Sequence, residues 1–263
     1  MGVEFKLLGT GAGLGIPSFY CDCVACREAY ADPHRARTRS GAVLDTGVER
    51  VLIDASPDLR TQLTREKIPS IDHLLITHWH YDHFGGIGDL EYYVRLARRR
   101  PVKLYLPPSA VHAFHSAFPF LVDVFQVETW AFGRSLVFQG AKLTVLPANH
   151  NIETGGVLVE GERRLAYFTD TAGLPESTVQ EIEGVDFLIC DATFHGENWF
   201  PDAHMNFEQA ISLGQQVKAK KTVLTHLALH YSVPVTAAQV EEMLKDHPAV
   251  ALAHDGMVFA LSG

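Results

Sequence analysis

The feature that most constrains this chain is the run Thr77-His78-Trp79-His80-Tyr81-Asp82-His83-Phe84-Gly85-Gly86, which follows the apolar residues Leu74-Leu75-Ile76. A short apolar run bounded by polar residues reads as a buried strand. Three histidines and one aspartate then fall within six positions. A segment that leaves a strand and turns into a helix shows alternate side chains to one face, then swings the next turn to another. One tight stretch can therefore offer ligands to two adjacent ions. Imidazole and carboxylate donors suit zinc, manganese and iron. Further donors of the same type sit just beyond other apolar runs. Asp170 follows Leu165-Ala166-Tyr167-Phe168, Asp191 follows Leu188-Ile189-Cys190, and His226 follows Val223-Leu224. Strand ends that converge on one edge of a sandwich bring such residues together, and loops on a rigid scaffold commonly carry function.

Strand-like runs cover residues 3–8, 41–45, 50–54, 73–77, 102–106, 142–146, 156–159, 165–169, 187–190, 222–225, 250–252 and 258–261. Amphipathic stretches at 23–30, 58–66, 90–99, 109–117, 176–183, 207–217 and 236–245 predict helices, and Pro57, Pro108, Pro175 and Pro234 stand near their starts. The mixture predicts sheets covered by helices. No linker, repeat or composition shift divides the chain, so residues 1–263 are expected to form one domain. With 47% hydrophobic residues over that length, a large core needs no disulfides.

The formal charge of −9 is opposite to that of a general nucleic-acid or anionic-membrane binder. No apolar run approaches the ~20 residues that span a bilayer, and the N-terminus reads as a strand entering a turn instead of a signal peptide. The expected location is cytoplasmic. Of four cysteines, Cys21, Cys23 and Cys26 lie within six residues, a clustering that suggests a metal in a cytosolic chain. Cys190, inside an apolar strand, reads as a core residue. The glycines from Gly9 to Gly15 lack a following Gly-Lys-Ser/Thr and read as a tight turn, not a nucleotide-binding loop.

The string from His78 to His83 resembles the H-x-H-x-D-H motif of the metallo-β-lactamase superfamily, and the later ligand order follows in His150, Asp170 and His226. The resemblance covers nearly the whole chain. It implies an α/β fold of αββα sandwich type, with two mixed sheets flanked by helices. It also implies that His78, His80 and His150 hold one divalent ion, that Asp82, His83 and His226 hold another, and that Asp170 bridges them. Two such ions roughly 3.5–4 Å apart activate water and clamp the attacking and leaving oxygens. His80 stands where oxygen-reducing di-iron members usually carry Glu, and Asp170 where common class B β-lactamases carry Cys. Both features point to hydrolysis of something other than a β-lactam.

Asp191-Ala192-Thr193-Phe194 resembles the E-A-T-F region of ribonuclease Z, and the segment around His204 occupies the place of its G-H-S-T motif. Carried over, His204 is the general acid and Asp191 its orienting carboxylate. His195 is the rival acid, and a helix-capping role for His204 is the bland alternative. The cysteine cluster, Asp170-Thr171-Ala172-Gly173-Leu174-Pro175 and the other motifs together resemble the phosphoribosyl cyclic phosphodiesterase family of the carbon–phosphorus lyase pathway. That likeness implies Mn²⁺ or Zn²⁺ in the active site and a structural Zn²⁺ on Cys21, Cys23, Cys26 and one further ligand, for which His230 is the choice. The expected activity is a phosphodiesterase acting on a small, cyclic ribose phosphate in phosphonate metabolism. The alternatives are ribonuclease Z-like tRNA processing, a carbon-ester or thioester hydrolase, and a pyrroloquinoline quinone biosynthesis B-like protein, to which Asp54-Ala55-Ser56-Pro57-Asp58-Leu59-Arg60 is similar. The aromatic segment from Val111 to Phe132 is expected in the core or at a homodimer contact, ahead of a substrate role.

Overall fold

A computed structural model describes residues 2–231 and 233–262. Strands β1 (Glu4–Gly9), β2 (Gly41–Asp45), β3 (Arg50–Ile53), β4 (His73–Leu75), β5 (Val102–Leu106) and β6 (Phe125–Thr129) lie side by side in chain order. A second sheet repeats the arrangement with β7 (Ser135–Phe138), β8 (Ala141–Pro147), β9 (Gly155–Glu160), β10 (Arg164–Phe168), β11 (Phe187–Asp191), β12 (Lys221–Thr225) and β13 (Val250–Leu252). The last strand, β14 (Val258–Ala260), returns to pair antiparallel with β1. In each sheet the first strands pair antiparallel. The pairing turns parallel from β3 to β6 in one sheet and from β10 to β13 in the other. The sheets are therefore mixed, as expected.

Period-2 alternation decides what each strand buries. Val51 and Ile53 of β3 face the second sheet, whereas Leu52 faces the helices. Ile189 of β11 faces the first sheet, whereas Leu188 and Cys190 face outward. Both faces of these strands are apolar because both are covered. Three packed clusters result. One lies between the sheets, around Phe5, Leu44, Val145, Tyr167 and Val223. A second lies under α2 (Leu59–Arg65), α4 (Leu90–Tyr92) and α5 (Val111–Ala117). The third lies under α1 (Val24–Ala31), α6 (Glu176–Glu181), α7 (Phe207–Gln216) and α8 (Ala237–Met243). The order helix, sheet, sheet, helix is the αββα sandwich.

Strands β6 and β7 lie outside the strand-like runs of the sequence. Residues 125–129 alternate as Phe-Gln-Val-Glu-Thr, but β6 is an edge strand inside an aromatic segment, so the pattern is short and diluted. The stretch expected as one helix over 90–99 is α4 followed by a π-helical turn, Tyr93–Arg98. Its side chains are tied to neighbours: Tyr93 Oη pairs with the Ile71 backbone, and Arg98 Nη1 donates to Asp72 Oδ1 at 2.7 Å. The 111–132 segment divides between Phe114, Leu121, Val124, Phe125 and Trp130, which are buried, and Phe120, Val122 and Phe132, which are exposed. No helix among the described residues is long and apolar enough to cross a membrane.

Candidate metal centre

The parallel strands of both sheets end at one place. From β4 the chain runs through Ile76 and Thr77 to His78, then enters α3 (Tyr81–Phe84), which carries Asp82 and His83. His150 lies in the β8–β9 connection, Asp170 follows β10, Asp191 closes β11 and His226 follows β12. Such a gathering at the carboxyl ends of strands is where open α/β sheets place their sites. Two residues there adopt left-handed backbone, Asp54 at φ 63° and His226 at φ 57°. Each costs of order 1–3 kcal/mol for a residue other than glycine, and both aim a side chain into the cluster.

His78 Nε2 lies 3.0 Å from His80 Nδ1, and His150 Nε2 lies 3.3 Å from the same atom. These three nitrogens form one ligand group. Asp82, His83 and His226 form a second, with Asp82 Oδ2 at 3.4 Å from His83 Nε2 and 3.6 Å from His226 Nε2. Asp170 stands between them. Its Oδ1 is 3.8 Å from His78 Nε2 and 3.4 Å from His226 Nε2, and its Oδ2 is 3.1 Å from His83 Nε2. All seven expected ligands are thus within one cluster.

The donor set fits divalent cations. His83 Nε2, His226 Nε2 and Asp170 Oδ2 are buried and make no well-directed hydrogen bond, although His83 Nε2 and Asp170 Oδ2 face each other at 3.1 Å. Converging buried polar atoms without well-directed hydrogen bonds are what a bound cation would satisfy. Burial by itself raises a carboxyl pKa, yet the His226, His83 and His78 side chains hold Asp170 well below the usual range. Burial holds His78 well below its ordinary value, with His83 adding to the effect. Neutral imidazoles and anionic carboxylates are what metal ligation requires. Burial also lowers the pKa of His80 and His150, whereas at His83 burial is outweighed by the Asp170, Asp82 and Asp54 carboxylates, which raise its pKa well above the ordinary value.

The other ring nitrogens are committed to the protein. His83 Nδ1 lies 2.7 Å from Asp54 Oδ2, and His150 Nδ1 lies 2.8 Å from the Ala203 carbonyl. Asp54 is buried, so it is no solvated strand end but the partner that holds the His83 ring. The Ala203 carbonyl left no trace in the sequence, because every residue has one. Gly13 belongs to the glycine-rich turn after β1. A Cβ there would lie 3.2 Å from Asp82 Oδ2, so the glycine lets the first loop close on the site.

His204 Nδ1 lies 2.7 Å from Asp191 Oδ2 and 4.0 Å from Asp170 Oδ1, and its ring stacks on His226 at 5.2 Å. Burial opposes its charged form, but the Asp191 hydrogen bond and charge outweigh this and push its pKa up to about 9. His204 does not cap the next helix. Asn206 does, accepting from Gln209 N at 2.9 Å while Gln209 Oε1 accepts from Asn206 N at 2.8 Å. His195 instead faces the Val233 carbonyl at 3.3 Å.

The Sγ atoms of Cys21, Cys23 and Cys26 form a separate group with a ring nitrogen of His230. Cys26 Sγ is 3.5 Å from His230 Nδ1, and burial pushes the Cys26 thiol up to about 12. Three sulfurs and one imidazole make a closed set of the kind structural zinc takes. Cys190 is buried in β11, as expected, and burial raises its pKa. Outside the site, Asp255 accepts from Thr10, Thr38 and Arg65 and ties the last strands to the first.

The chain belongs to the beta-lactamase superfamily, whose domain model matches residues 49–227. Members of this superfamily are generally metal-dependent hydrolases. A new diphosphatase from the PhnP family superposes with a TM-score of 0.87 at 28% identity, covering 100% of this chain and 98% of that one. The short form of human tRNase Z superposes with a TM-score of 0.72 at 22% identity, covering 98% and 99% of the two chains, a likeness of fold. Among sequence relatives, an octanoyltransferase of Porphyromonas gingivalis is 29% identical over 85% of this chain, which spans only 46% of that longer protein. A coenzyme PQQ synthesis protein B of Methylobacterium radiotolerans is 30% identical, with 71% of this chain and 72% of that protein covered.

Proposed function

We propose that residues 1–263 act as one metal-dependent phosphodiesterase domain whose substrate is a small, cyclic ribose phosphate ester of phosphonate breakdown. The observation that carries this reading is the Asp191–His204 pair, at 2.7 Å, beside the metal-type cluster. Hydrolysis of an alkyl phosphodiester expels an alkoxide, which needs a proton far more than an acyl transfer to a good leaving group does. His78, His80 and His150 would hold one divalent ion, Asp82, His83 and His226 a second, with Asp170 between them. Manganese and zinc both suit these nitrogen and oxygen donors. Cations bound there supply Lewis acidity toward phosphoryl oxygens and acidify water.

The chain's own residues do the rest. Asp191 takes the Nδ1 hydrogen of His204 and favours the imidazolium, so a proton is held at Nε2. As water adds to phosphorus, losing a proton to solvent, and the P–O bond to the sugar oxygen breaks, the His204 proton passes to the departing oxygen, and the neutral ring regains one from solvent. Cys21, Cys23, Cys26 and His230 would hold a structural zinc. The net charge of −9 disfavours a long nucleic-acid substrate.

The octanoyltransferase relative favours a second reading, acyl or thioester chemistry. Metal-quantified turnover of bis-p-nitrophenyl phosphate and a ribose cyclic phosphate, set against a thioester and a lactone, decides between them. The proposal expects the phosphodiesters to be preferred, with about three metals per chain. Preference for the thioester in fully metallated protein would overturn it.

A further inference from the structure

Each half of the site contains a buried aspartate, and each aspartate works through a threonine as well as directly. In the second sheet, Asp191 Oδ2 takes the Nδ1 hydrogen of His204. Its Oδ1 accepts from the Thr193 hydroxyl at 2.9 Å and from the Thr193 N–H at 2.9 Å. The same Thr193 hydroxyl lies 2.9 Å from His226 Nδ1. In the first sheet, Asp54 Oδ2 takes the Nδ1 hydrogen of His83. The Thr77 hydroxyl lies 3.0 and 2.9 Å from the two Asp54 oxygens and 3.0 Å from His78 Nδ1.

A hydroxyl has one hydrogen to give, and a carboxylate can only accept. With its hydrogen committed to aspartate, each threonine can only accept from the imidazole. Nδ1 of His226 and of His78 must then carry the ring hydrogen, which leaves both Nε2 lone pairs facing Asp170. The bonding is the same in the two halves, yet it is reached from different backbone positions. Thr77 stands beside the histidine it holds, whereas Thr193 lies two residues beyond Asp191, just past the end of β11. Thr225, the neighbour of His226 in sequence, has a buried hydroxyl with no partner. Position next to a histidine is therefore not what selects the threonine; reach to the carboxylate is.

We propose that Thr193 and Thr77 are positioning residues that fix the tautomer and the aim of His226 and His78, and that Asp191 thereby ties the proton donor and a metal-facing histidine to one carboxylate. The inference rests on the metal reading of the cluster but not on any substrate. Threonine-to-valine changes keep the shape and delete the relay, leaving a buried ring N–H unpaired. Outer-shell partners of metal-bound histidines are typically worth about 10–100-fold in metal affinity.

The test uses full-length, zinc-loaded protein titrated with a graded chelator, with zinc per chain measured. T193V should release one ion at about 10–100-fold lower chelator strength than wild type while the cysteine zinc stays, and T193S should recover the wild-type profile. T77V and T77S repeat the comparison in the other half and serve if T193V does not fold. Valine variants that hold zinc as wild type does, or serine variants as weak as the valines, overturn the relay alone. A wild type that holds no zinc at the histidine cluster overturns the functional reading with it.

Discussion

In His204→Ala, the imidazole held by Asp191 at 2.7 Å is deleted, while every donor of the two ligand triads stays in place. A positioned general acid is worth about 10²–10⁴-fold, or about 3–5 kcal/mol of barrier. That full loss applies only where the departing oxygen cannot leave as an anion. A ribose alkoxide cannot; p-nitrophenolate can. The kcat for a ribose cyclic phosphate should therefore fall by about 10²–10⁴, and that for bis-p-nitrophenyl phosphate by no more than about tenfold. Metal content should not change. The assay is steady-state kcat on both substrates with the same enzyme preparation, with metals quantified before and after. Equal losses on the two substrates would refute proton donation. Loss of a metal would refute it differently, because Asp170, His204 and His226 also lie close enough to share an ion.

Replacing Cys26 by Ser should remove one zinc and leave the histidine cluster metallated, read as metals per chain. The melting midpoint should fall by more than about 5 °C, since each kcal/mol lost lowers it by about 2–4 °C at this size. Asp72 supplies a test of pH dependence. Burial opposes its charged form, but Arg98 and the Arg50 N–H outweigh this and lower its pKa. A depressed carboxyl stabilises the fold above its unfolded pKa, near 3.9, and that contribution fades as pH falls through the folded value. Asp72→Asn should therefore cost about 1 kcal/mol or less at neutral pH, given solvent screening, and flatten the acid limb of urea-melt stability. An equal deficit at pH 7 and at about pH 2 would contradict the linkage.

Much of the site was legible because metal ligation restricts residue type. Only a few side chains bind divalent ions, so His78, His80, Asp82 and His83 in one turn, and Asp170 and His226 beyond strands, carried their chemistry in their names. His150 was legible only through the family's ligand order, since a lone histidine after a strand is ordinary. Thr77, Thr193 and the Ala203 carbonyl were not legible at all. A hydroxyl or carbonyl gains its role from what stands about 3 Å away, and spacing along the chain does not report that distance.

The same division holds for the fold. Alternating and continuous apolar runs determine which segments become strands and that both faces of the central strands are covered. Those are local properties, set by the two-residue period of a strand and the cost of leaving apolar surface in water. Sheet order, the switch from antiparallel to parallel pairing and the convergence of two strand-end clusters depend on contacts between residues far apart in sequence. The Asp191 interactions illustrate the point. Its bonds reach Thr171, Thr193, His204 and Met205, and only the packed sandwich brings these four around one carboxylate.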